Sequence, residues 1–170
     1  MSKKVITMGL EHIKLGAIEV DGGMGQTLAA LGLTAENTCT LVSEDPQVTE
    51  FFSEENDDPE AEITRPGKIT FNFSIMDANA DNLVAIFGGE KKTAGSVDSW
   101  EAPASAPIIE QSIEAKAKSG LTIKIPRASV RGKFNSQLSR QGVFLVDVVA
   151  TVLVPTKANE PKMILTEPSA

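Results

Sequence analysis

Ile69, Phe71, Phe73 and Ile75 alternate strictly with Thr70, Asn72 and Ser74. A period of two places the apolar set on one side of an extended chain and the polar set on the other. This segment therefore reads as a half-buried strand. Leu121, Ile123 and Ile125 repeat the pattern against Thr122 and Lys124, until Pro126 is expected to interrupt it. Further back, Ile109, Ile113, Ala115 and Ala117 face one way, and Glu110, Ser112, Glu114 and Lys116 the other. The run Val143–Val154 is apolar on both faces apart from Asp147 and Thr151, which predicts a central strand covered on both sides. An opening strand is expected over His12–Val20, changing phase at Gly16 as a bulge would make it do.

One helix is well marked. Asp77 or Asn79 can cap it, Leu83, Val84, Ile86 and Phe87 supply its buried face, and Gly88-Gly89 ends it. Thr27–Leu31 can form a second, short one. Asp21–Gly25 is a glycine-rich turn, and Ala102–Pro107 a Pro/Ala connector. Glu54–Glu60 reads as an acidic loop tip between the strand-like runs Gln47–Phe52 and Gly67–Met76. The tail after Pro155 is polar and is not expected to fold by itself. No internal repeat is present. The expected arrangement is one helix packed on a mostly antiparallel sheet.

Charge is segregated along this strand-patterned chain. Leu15–Thr64 has no Lys or Arg and carries twelve acids, seven of them within Glu50–Glu62. Ala115–Val146 has no Asp or Glu and carries seven bases, from Lys116 to Arg140. Opposite potentials on one molecule steer encounters between copies and fix their register. A patch that complements a different patch on the same molecule gives a heterologous contact, which closes into rings or continues as filaments. The acidic Glu44–Glu62 stretch is expected to meet the basic Lys124–Arg140 stretch across subunits. The pattern points to assembly rather than catalysis.

At 170 residues the chain is one domain by length, with enough apolar residues (41%) for a core. A net charge of −7 opposes binding of the whole protein to free nucleic acid, and the basic segment lacks interleaved aromatics. Cys39 is the only cysteine, so no intrachain disulfide forms, which fits folding in a reducing compartment. The first ten residues lack the apolar core of a signal peptide, and no run reaches the length of a membrane span. A soluble chain made in the cytoplasm is expected.

Catalytic signatures are missing. His12, the single histidine, would have to serve any nucleophile, and nothing in the sequence sets Cys39 or a third orienting group beside it. An ordinary strand-edge histidine is the expectation. One Cys and one His cannot fill a tetrahedral zinc site. Glu54, Glu55, Asn56, Asp57 and Asp58 are oxygen-rich, as Ca²⁺ requires, but lack the spacing and central glycine of an EF-hand loop. Asp21-Gly22-Gly23-Met24-Gly25-Gln26-Thr27 lacks the lysine of a phosphate loop. No enzyme and no cofactor or metal is expected.

The order of these features resembles a known family. A long acidic stretch is followed by Arg65-Pro66-Gly67-Lys68 and the Ile69–Ile75 strand, then by the Asn82–Gly89 helix. Ile123-Lys124-Ile125-Pro126-Arg127-Ala128 and Val143-Phe144-Leu145-Val146-Asp147-Val148 follow late in the chain. This layout, over roughly residues 10–155, is similar to that of the major tail tube proteins of long-tailed bacteriophages and their type VI secretion relatives. The resemblance implies an antiparallel β-sandwich or half-barrel with one flanking helix, completing a β-barrel on oligomerisation. It further implies homo-hexameric rings stacked into the tail tube, the conduit for double-stranded DNA, assembled in the bacterial host cytoplasm. Tape-measure and tail-terminator or baseplate proteins would be partners, with no membrane involved. Residues 1–155 would form the β domain, and 156–170 an extension packing on neighbouring subunits.

On this resemblance Glu50, Glu54, Glu55, Asp57, Asp58, Glu60 and Glu62 belong to a loop that bridges rings. Lys124, Arg127, Arg131, Lys133 and Arg140 form the basic partner surface. Thr70, Asn72, Ser74, Glu110 and Glu114 are candidates for lining a cation-poor lumen. The competing expectation is a ligand- or carbohydrate-binding β-sandwich, poorly served for sugar stacking by a single Trp and no Tyr.

Overall fold

Apolar alternation fixes the centre of the sheet. In the computed structural model, which describes residues 4–169, the elements run β1 (Met8–Gly16), β2 (Ala29–Ala30), β3 (Thr40–Ser43), β4 (Gln47–Ser53) and β5 (Asn56–Arg65). Then come β6 (Ile69–Ile75), α1 (Ala80–Phe87), β7 (Glu90–Ala94) and β8 (Val97–Glu101). β9 (Ile109–Ser119), β10 (Thr122–Phe134), β11 (Val146–Val152) and β12 (Ile164–Thr166) complete the chain. Eight strands make one antiparallel sheet in the order β2-β1-β9-β10-β11-β6-β3, with β12 added to β10. β4–β5 and β7–β8 are separate hairpins. The fold is mainly β with a single helix among the described residues.

Ile13 of β1 and Phe71 of β6 belong to one buried core although β9, β10 and β11 lie between their strands. The sheet must therefore curl. Phe73, Ile75, Ile113, Ile125, Val146 and Val148 fill the inside of the curl. Each such side chain contributes about 1.5–3 kcal/mol by leaving water. One short segment ties the ends: Leu31 N–H donates to the Ile13 carbonyl (3.0 Å), and Ala35 N–H to the Ser74 carbonyl (2.8 Å). β1 and β6 are not themselves paired, so the single chain is a half-barrel, not a closed one.

The helix sits where expected. Asn79 caps it by accepting the Asn82 N–H, and Gly88, at φ 74°, ends it. Its buried face is less apolar than the sequence suggests: Ile86 is buried, Leu83, Val84 and Phe87 are half-buried, and Asn82 is buried in their place. The Asn82 amide donates to the carbonyls of Leu31 and Asp77, tying the helix to the segment that spans the curl. α1 packs close to β10 because residue 132 is glycine. A Cβ there would lie 2.4 Å from the Ile86 Cγ2.

Several expectations are corrected. The bulge in β1 falls between Leu10 and His12, and the strand ends at Gly16 rather than changing phase there. Gly16 is needed because the Thr27 carbonyl passes 2.2 Å from where its Cβ would be. Thr27–Leu31 is not helical. Ala29 and Ala30 pair with Leu15 and Lys14, so bonding to an open sheet edge overrides local propensity. Pro126 does not end its strand: β10 continues through a register shift between Ile125 and Ala128, a bulge where a missing N–H is tolerated.

The Val143–Val154 run becomes a strand only from Val146, and only one face is covered. Val146, Val148 and Ala150 are buried, whereas Val149 on the other face is exposed. Ser112, expected on a polar face, is fully buried because the Gly25 turn lies over it. Its hydroxyl accepts the Gly25 N–H (2.8 Å) and donates to the Pro126 carbonyl (2.7 Å). The tail docks on its own chain through β12 against Thr122–Lys124, and through a Lys157–Asp21 ion pair at 2.8 Å. Residues 1–3 and 170, at the ends of the two expected segments, lie outside the described residues.

Candidate functional site

The acidic stretch is not a loop but an arm. β4 and β5 pair from Gln47–Arg65 to Ser53–Asn56, so Asp57, Asp58, Glu60 and Glu62 sit on a strand and only Glu54 and Glu55 turn the hairpin. β4 and β5 pack chiefly on each other, and every arm residue but Ser53 is exposed. The base is pinched where Glu44 N–H donates to the Lys68 carbonyl (2.9 Å) and Gly67 meets the Glu44 backbone.

Cross-strand register sorts the arm into two faces. Gln47, Thr49 and Phe51 share one with Arg65, Ile63 and Ala61. Val48 and Glu50 share the other with Thr64 and Glu62; the register shifts between Phe51 and Ser53, so Phe52 sits at the irregularity without a cross-strand partner. Glu50 and Glu62 are direct neighbours, a like-charge pair that destabilises the hairpin. Val48, Phe51, Phe52 and Ile63 remain about half exposed, at 52%, 48%, 57% and 53%. A lone hairpin of this kind is marginal in water without a partner. Among the described residues no group of three or more His, Cys, Asp or Glu converges to hold a metal ion.

The five expected bases divide into engaged and free. Arg127 forks onto Glu110, Nε to Oε2 at 2.8 Å and Nη2 to Oε1 at 2.9 Å. That hydrogen bonding holds the Glu110 carboxyl below its ordinary range and lifts the guanidinium above its own. Lys124 lies 3.7 Å from Glu114, with Lys14 at 4.0 Å and His12 Nε2 at 3.5 Å from the same carboxylate. Arg131 donates to the Thr151 hydroxyl. Lys133 and Arg140 are exposed and make no ion pair among the described residues.

The lumen candidates share one sheet face, but it is neither bare nor poor in cations. Across β6, β11 and β10, Thr70, Asn72 and Ser74 stand beside Thr151, Val149 and Asp147, and these beside Ser129, Arg131 and Lys133. Ser74 is nearly buried, with its hydroxyl on Asp147 at 2.5 Å, and Asn72 reaches Thr40. Glu110 is the neutralised partner of Arg127, and Glu114 lies within 4.0 Å of Lys14 and Lys124. The five candidates therefore share their surroundings with Arg131 and Lys133 within one chain.

Three features escaped the sequence reading. The β7–β8 hairpin lays Trp100 on the helix end, its indole N–H donating to the Gly88 carbonyl at 2.8 Å. Phe87 and Phe134 stack at 4.6 Å beside it, with Phe144 next. The signal available was Val143-Phe144, which was absorbed into a strand that begins only at Val146. Finally, where the curl fails to close, a cleft of about 810 Å³ opens between the free edge of β1 and β3, floored by Phe71. His12 and Cys39 both line it, but burial pushes the Cys39 thiol up, away from the thiolate a nucleophile needs.

Compared with known proteins, the chain matches no family model and no curated protein.

Proposed function

We propose that the protein is a structural subunit that assembles with copies of itself into rings stacked as a tube. In this reading the tube is the tail tube of a long-tailed bacteriophage, a conduit for double-stranded DNA. The arm carries the argument: a folded hairpin that exposes four large apolar side chains and a Glu50–Glu62 pair with no base beside it needs a partner surface. The unclosed half-barrel supports the same reading, since β3 and the part of β1 that β2 leaves uncovered offer unpaired backbone groups that a neighbouring copy can satisfy. Six copies per ring, a wall shared between neighbours, and contacts with tape-measure, terminator or baseplate proteins follow from the resemblance of layout. So do placement in the virion tail and assembly in the bacterial cytoplasm.

Negative-stain imaging and light scattering of the purified protein test this. Rings or tubes are expected. Monodisperse single chains at high concentration and low salt would refute it.

The cleft favours a second reading, a ligand-binding half-barrel. Its floor is apolar and its rim mixes Lys118 and Glu36 with a Lys116–Glu11 ion pair at 3.0 Å, a setting for an amphipathic ligand. A saturable calorimetric response to such a ligand by a protein that stays a single chain is what this alternative requires.

A further inference from the structure

The arm and the β10–β11 turn leave the molecule at opposite ends of the same strands. β6 begins at Ile69, which pairs with Ser43 at the arm's base, and ends at Ile75, which pairs with Val146. Val146 in turn faces Phe134, the last residue of β10. The seven residues of β6 set the two ends about 20 Å apart. The turn beyond Phe134 carries Arg140 and no acid, and it exposes Leu138 (89%) and Val143 (49%). Each end thus presents apolar side chains around a charge, and the charges are opposite.

We propose that the Val48–Glu50 face of one copy's arm docks on the Leu138–Phe144 turn of the next copy, with the Arg140 guanidinium between Glu50 and Glu62. The inference rests on the self-assembly reading and specifies its head-to-tail contact. Among the described residues Glu50 and Glu62 pair with no base, and Arg140 pairs with no acid. A planar cation inserted between two carboxylates converts their repulsion into charge-assisted hydrogen bonds. Val48, which stands beside Glu50 and is half exposed, then packs on Leu138 and Val143. Because the two surfaces differ and lie at opposite ends, the contact is heterologous and can repeat from copy to copy. Arg127 and Lys124 are left out, since Glu110 and Glu114 already hold them.

The test is a charge exchange on the full chain, read as the concentration at which tubes appear. Arg140→Glu, and separately Glu50→Arg with Glu62→Arg, should each raise that concentration about tenfold or more. Mixing the two variants, or combining all three substitutions in one chain, should restore assembly. All sites are exposed, and circular dichroism with a thermal melt confirms that each variant remains folded. Unchanged tube formation by Arg140→Glu, or failure of the exchange to rescue, overturns this contact while self-assembly stands. Single chains from the unmodified protein overturn both.

Discussion

Arg127 grips Glu110 across β10 and β9 through two parallel hydrogen bonds of 2.8 and 2.9 Å. The sequence assigns these residues to different surfaces, one a basic partner face and the other a channel wall. Within one chain they neutralise each other. Arg127→Glu would therefore set two carboxylates together on adjacent strands, and its first effect should be on the fold. Loss of assembly in that variant says nothing about subunit contacts unless the melting temperature is unchanged.

The same pair predicts a pH dependence. Glu110 titrates below its ordinary value in the folded state, where Arg127 stabilises the charged form. The unfolded chain therefore binds more protons in acid, so the pair's contribution is complete above about pH 4.3 and disappears as pH falls through the lower folded value. Glu110→Gln should melt below the unmodified protein at pH 7, and the gap should close in strong acid. A gap that persists at low pH would mean that lost packing, not lost charge, explains the variant.

Ser112 supports a second, internal prediction. Its hydroxyl satisfies both the Gly25 N–H and the Pro126 carbonyl in a site without solvent. Ser112→Ala leaves both backbone groups unpaired and should cost about 1–3 kcal/mol in urea unfolding. Stability within error of the unmodified protein would indicate that water replaces the hydroxyl.

How far such features are legible in the sequence depends on the range of the interactions that produce them. The Ile69–Ile75 strand is read to the residue because its alternation is local and one face is buried. The helix is legible in its end at Gly88, while its start is left between Asp77 and Asn79, of which Asn79 caps it. Ser112 is misread because its cover, the Gly25 turn, arrives from 87 residues away. Thr27–Leu31 is misread for a similar reason, an open edge at Leu15 that no local pattern reveals. The acidic arm is legible in its charge but not in its shape. A hairpin with no core lacks the one-sided burial that strand patterns report.

Gly132 tests the seat of the helix. Gly132→Val brings side-chain atoms into the space of Ile86 and Phe87 and should cost about 1–3 kcal/mol. Trp100, the sole tryptophan, packs against Phe87 at a 5.7 Å ring separation and reports the displacement. Its emission should shift to the red. Unaltered emission and stability would show that α1 moves aside without disturbing the aromatic group.

The arm offers the sharpest separation of stability from assembly. Its residues contribute nothing to the buried core, and its base is fixed by Glu44, Gly67 and Lys68, which lie outside the hairpin. Replacing Gln47–Arg65 with a short Gly-Ser link should leave body stability within about 0.5 kcal/mol, as for surface changes remote from packing. Removing the exposed apolar face should also improve solubility. The open edges on β3 and on the part of β1 ahead of β2 remain, so lateral contacts can still form, and the deletion should give rings at most. Long tubes from the deleted protein would rule out the arm as the link between rings. A deleted chain that fails to fold would show instead that the hairpin nucleates β3 and β6.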